Sequence, residues 1–214
     1  MTYVKASVRR PAGNPGNGIQ PKDQLVIYDV DDILSFPQRN DAGVVIEDDI
    51  VMKAGRYAIG IYLTPGTAEI SSNSDGETDA EGYTPSVKFN HPGNEQEIRE
   101  FKTNWLSKKC IVVLRYCSGK PADLIGTPCN PCKLSVSYTG SNESNTNELT
   151  FTQISKGDDI AIYRGTDTLE EPVAVVEAGA TDIDYQTDGQ YQLSAGAAKI
   201  AGVTGGSHGS GITL

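Results

Sequence analysis

The sequence predicts a mostly β protein: an antiparallel sandwich or barrel with one flanking α-helix at about 94–107, an extended N-terminal arm and long loops. Three observations carry this. The 214 residues include 23 glycines and 11 prolines, which cut the chain into short elements. Apolar runs are brief, and the clearest ones alternate with polar residues, the period of a half-buried strand. Convincing helical periodicity occurs once, where Ile98, Phe101, Trp105 and Leu106 form a single apolar stripe.

Residues 1–24 are rich in Pro, Gly and Asn and read as an extended arm or a tail. Lys5, Arg9 and Arg10 make this segment basic in an otherwise acidic chain. Two uses stand open: an arm reaching a neighbouring subunit of opposite charge, or a disordered terminus. Residues 25–165 form the β domain. Leu25–Tyr28 is a short strand, followed by Asp31 and Asp32 and a turn at Phe36-Pro37. Val44–Ile46 and Ile50–Met52 are strand segments separated by Glu47, Asp48 and Asp49. Arg56–Leu63 reads as a strand with Tyr57, Ile59 and Ile61 on one face.

Ser71–Glu81 reads as a polar loop in which Asp75, Glu77, Asp79 and Glu81 alternate. A calcium loop needs Gly at its sixth position and Glu at its twelfth. Counted from Asp75, those positions hold Ala80 and Ser86, so the spacing argues against one. A solvated loop that orders on assembly fits better. Thr84–Phe89 leads as a strand into the helix. The turn His91-Pro92-Gly93 and an N-cap at Asn94, with Glu97 three residues on, mark the helix start. Lys108 and Lys109 lie near its negative end. Cys110–Cys117 follows as a core strand. Lys133–Tyr138 and Glu148–Ile154 make a hairpin, and Asp158–Tyr163 is one more strand. From residue 166 to 214 the texture changes to a C-terminal extension. It has strands at 172–177 and 190–193 and a flexible Gly-, Ala- and Ser-rich end.

Composition sets limits. A formal net charge of -10 argues against a surface that grips nucleic acid phosphates. No apolar run approaches the roughly 20 residues of a membrane span, and the N-terminus lacks the apolar region of a secretory signal. Cys110, Cys117, Cys129 and Cys132 include one C-x-x-C but no second close pair, so buried reduced thiols are expected in place of a metal site or a disulfide. His91 sits in a turn and His208 in a glycine-rich tail. Gly13–Gly18 is broken by Pro15 and lacks the Lys-Ser/Thr of a phosphate cradle. The reading is of a non-enzyme with no catalytic residues, no metal and no cofactor.

The run from Gly76 through Gln153 places an acidic loop, a strand, one capped helix, a core strand and a long hairpin in order. It resembles virion structural proteins of long-tailed bacteriophages, most closely tail tube proteins, over residues 25–165. The resemblance implies hexameric rings of this chain stacked into a tube within a virion, made in a host cytoplasm. DNA would pass through without specific binding, and other tail or head proteins would be partners. On that reading Asp31, Asp32, Glu47, Asp48 and Asp49 line an acidic lumen. The loop of Asp75, Glu77, Asp79 and Glu81 touches a neighbour, and Ile98, Phe101 and Trp105 pack the helix. A capsid-decorating or head–tail connector protein is the nearest alternative. An extracellular ligand- or glycan-binding β-sandwich is the alternative of another class.

Overall fold

The computed structural model describes residues 5–13, 16–142 and 144–169, together with the backbone of four short strands further on. The chain divides into two compact units, 1–169 and 170–214. In the second, Ala174–Val176 pairs in parallel with Tyr191–Leu193, and Asp182–Asp184 with Gly202–Thr204. The first of these ribbons joins the two strands expected there. Apart from Gly202–Thr204, the end expected to be flexible lies outside the described residues, and so does His208.

The first unit contains β1 (Pro21–Asp29), β2 (Ile33–Ser35), β3 (Val45–Ile46), β4 (Val51–Met52), β5 (Ile59–Tyr62), β6 (Glu69–Asp75) and β7 (Gly82–Pro92). After α1 (Gln96–Trp105) come β8 (Cys110–Tyr116), β9 (Ala122–Ile125), β10 (Cys132–Gly140), β11 (Asn145–Gln153) and β12 (Ala161–Tyr163). An inner sheet runs β5-β1-β8-β9-β12-β3, with only the last pair parallel. An outer sheet runs β10-β11-β7-β6, all antiparallel. The two meet at a corner where Cys132 pairs with Cys110. β6 and β3 end the path without pairing, so the fold is an open, sandwich-like one and not a closed barrel.

The two sheets differ because their sequences differ. Leu25–Asp29 and Cys110–Leu114 are buried without interruption, as a strand covered on both faces must be. Leu25, Ile27, Val112 and Leu114 point into the sandwich against Val87, Phe89, Leu134, Leu149 and Phe151. Val26, Tyr28, Ile111 and Val113 point the other way, onto a second core closed by Ile46, Ile50 and Tyr163. β7, β10 and β11 alternate instead, so the outer sheet buries one face and leaves the other polar. Each fully buried Phe or Leu contributes about 1.5–3 kcal/mol through burial.

Several expectations change here. The segment Ser71–Glu81 is not a loop over its first five residues: β6 takes it up to Asp75, and residues 76–81 form the turn into β7. Ser and Asn mask an edge strand that lies mostly in solvent. β9 is a further strand, with four residues and no alternation long enough to read from the sequence. β1 starts at Pro21, inside the expected arm. β5 starts at Ile59, which leaves Tyr57 exposed and outside the strand. Thr166–Leu169 belongs with the first unit, since the Ala58 N–H donates to the Thr168 carbonyl at 3.0 Å.

The helix also begins one residue later than its signals suggest. Its N-cap is Glu95, which makes no side-chain cap bond. Asn94 is occupied otherwise: its side-chain oxygen accepts from Lys102 Nζ at 3.0 Å and its carbonyl from Arg99 Nε at 2.7 Å. Leu106 follows the last helical residue and is exposed, so the stripe ends at Trp105. Lys108 pairs with Asp29 and lies 5.0 Å above the Trp105 ring.

Candidate functional site

The five acids Asp31, Asp32, Glu47, Asp48 and Asp49 bracket the small β2–β4 ribbon, in which Ile33 pairs with Met52 over the second core. Asp31 and Asp32 lie in a 3-10 turn, Val30–Asp32, in which the Asp31 N–H donates to Asp29 Oδ1 at 3.1 Å. Three of the five are engaged within the chain. Asp32 faces Arg56 at 3.4 Å, Glu47 accepts from Arg164 at 2.8 Å, and Asp49 accepts from the Thr166 N–H at 2.7 Å. Asp31 and Asp48 are exposed and have no ion-pair partner among the described residues.

The second acidic set lies at the β6–β7 tip. Gly76 has φ +141, and a Cβ there would stand 2.2 Å from the Ala80 carbonyl, so the tip needs glycine. Asp79 takes φ 70. Asp75, Glu77, Asp79 and Glu81 are all exposed. Lys156, 3.0 Å away, hydrogen-bonds Asp75 and holds its carboxyl below the usual range. Reciprocal bonds between Tyr83 and Gly157, at 2.9 and 3.0 Å, fix the base of the ribbon beyond which the tip extends. Among the described residues no His, Cys, Asp or Glu cluster has the geometry to hold a metal ion.

The helix stripe packs as its spacing requires. Ile98 is buried, and Phe101 stacks on Trp105 with centroids 5.6 Å apart, both against the sandwich core. Lys102 turns toward the outer sheet, donating to the buried Asn147 Oδ1 at 2.6 Å and lying 5.1 Å above Tyr138. Desolvation first, then Arg99, lowers its affinity for a proton. A groove of about 350 Å³ opens beside this helix, lined by Gly60, Tyr62, His91, Glu95, Glu97 and Phe101 among others. His91 Nδ1 meets the Tyr62 carbonyl oxygen at 2.9 Å, so His91 serves as a strut between β5 and β7.

Sequence reasoning passes over a partly buried polar cluster behind the inner sheet. Asp167 accepts from Tyr28 at 2.7 Å and pairs with Arg115, which also donates to the Gly165 carbonyl at 2.7 Å. Arg115 lies 5.5 Å from the Tyr163 ring, and Tyr163 donates to the Thr166 carbonyl at 3.1 Å. Burial, with Asp167 beside it, pushes the Tyr28 phenol far above its ordinary range. The Asp167 hydrogen bond raises Arg115 as well. The readable signal was Arg115 itself, a cation in the apolar run CIVVLRYC that demands a buried partner. The cluster clasps the chain where it leaves the first unit.

The cysteines split as residue environment dictates. Cys110 and Cys132 are buried in the corner, Cys117 and Cys129 exposed, and all four are free. Burial raises the Cys110 thiol to about 12 and pushes Cys132 up too, which keeps both protonated and unreactive.

No family model, curated protein or solved structure matches this chain.

Proposed function

We propose that this chain is a structural subunit that closes with copies of itself into stacked hexameric rings, forming the tail tube of a long-tailed bacteriophage virion. One observation carries the reading furthest. The outer sheet has two different open edges, β6 on one side and β10 beyond Cys132 on the other, with no strand partner among the described residues. A subunit that offers two unlike, complementary edges supports head-to-tail association, and head-to-tail association closes into rings.

The charge distribution supports the conduit. A net charge of -10 suits a wall along which DNA slides without adhering. We place Asp31, Asp32, Glu47, Asp48 and Asp49 on the bore. Asp31 and Asp48, with no ion-pair partner among the described residues, would carry most of the field there. The acidic β6–β7 tip would reach a neighbouring subunit, and other tail or head proteins would bind the ends of the tube. The subunit is made in the host cytoplasm and acts within the virion, with no catalytic step, metal or cofactor.

Sizing and electron microscopy of the purified chain test this. Stacked rings with an axial hole support it. Single, unstacked rings favour the connector alternative, and a persistent monomer that binds a glycan contradicts it. A subunit map with all five acids on the outer surface would reject the lumen assignment.

A further inference from the structure

The groove between β5, the end of β7 and α1 is built like a receptor for an extended basic segment. Its floor is apolar, from Ile61, Ile98 and Phe101, and its wall carries Glu95 and Glu97. Both glutamates are exposed and have no ion-pair partner among the described residues. Among the described residues β5 has no strand partner but β1. The Leu63 N–H donates to the Asp23 carbonyl at 2.9 Å, so alternation turns the backbone of Ile59 and Ile61 toward β1 as well. Gly60 and Tyr62 therefore direct their backbone groups outward, where the Tyr62 carbonyl meets His91 Nδ1. What remains is a short free edge beside an acidic wall and an apolar floor.

The chain itself carries the complement. Before Asp23 it has Lys5, Arg9, Arg10 and Lys22 and no carboxylate. Residues 5–10 form no secondary structure and are exposed, and Val8 is 97% exposed between the cations. An extended strand adding to a free edge, with an aliphatic side chain in the floor and cations on the wall, matches the backbone edge, the apolar floor and the acidic wall of the groove.

We infer that Lys5–Arg10 of one copy docks in this groove on a second copy, with Val8 over Phe101 and Arg9 or Arg10 against Glu95 and Glu97. The inference rests on the proposed self-assembly in requiring a second copy, but it does not depend on how rings close.

Full-length chain bearing a photoreactive benzophenone side chain in place of Val8, mixed as isotope-labelled and unlabelled protein, tests it by mass spectrometry of the cross-links. Mixed-isotope products joining position 8 to residues 59–62 or 95–101 support the docking. Products within one chain, products elsewhere, or none overturn it. In sedimentation, Arg9→Glu with Arg10→Glu weakens self-association by about tenfold, and Glu95→Arg with Glu97→Arg does the same. Combining the four substitutions restores it. The arm pair lies in an exposed, irregular segment, so its effect is read without disturbing the core. Weakening that the combination fails to restore, or no weakening by the arm pair, overturns the inference. Rings that form with position 8 cross-linked elsewhere overturn the docking alone. No rings and no association overturn both the docking and the tube.

Discussion

The inner and outer sheets are made of the same kind of strand and solve different problems. β1 and β8 are buried on both faces and hold the first unit together from its middle, while β7, β10 and β11 lend one face to the core and keep a polar face outside. Polar groups follow suit. Behind the inner sheet the buried Asp167 carboxylate is paired with the half-buried Arg115, whereas the outer sheet pairs its exposed Lys88 with Glu69 at 3.5 Å in solvent. Stability is concentrated in the inner sheet, while the outer sheet keeps a polar outward face.

Substitutions break or sharpen this contrast. Asp167→Ala strands Arg115 and the Tyr28 hydroxyl behind the inner sheet, and denaturant unfolding should show a loss of about 3–5 kcal/mol. Leu124→Ala, in the second core on β9, should cost about 2–4 kcal/mol in the same measurement. If both fall below 1 kcal/mol, the inner sheet is not where stability resides.

The Tyr28 phenol gives a pH test. Its proton is held more tightly folded than unfolded, so its contribution is intact below the ordinary tyrosine value of about 10 and is lost as pH rises past it. Stability should therefore fall from about pH 10 upward, and Tyr28→Phe should make that fall shallower without abolishing it, since burial raises the Tyr116 and Tyr163 phenols as well. An unchanged slope in the variant would remove Tyr28 from the account. The smallest effect belongs outside: Thr150→Ala, on the polar face of β11, should change stability by no more than about 0.5 kcal/mol.

What was legible in the sequence follows the same divide. LVIY and CIVVL announce a doubly buried sheet, Leu134 and Val136 announce a half-buried one, and the 98–101–105 stripe announces the helix that braces them. β6 was hidden because a solvated edge strand needs no apolar residue to form once β7 offers it a ladder. The helix cap was misread because Asn94 is a good cap in isolation, and Lys102 on the following turns claims its oxygen. Of the sites, the acids could be read as charges but not as pairs. That Arg56, Arg164 and the Thr166 N–H answer three of them depends on long-range contacts. The groove was invisible for the same reason, since β5, β7 and α1 meet only in three dimensions.

An electron cryomicroscopy map of the assembled protein tests the central claim most directly. The expected map shows a ring in which β6 of each subunit lies against β10 of the next. Rings whose subunits touch through other surfaces, with both edges left in solvent, would contradict it.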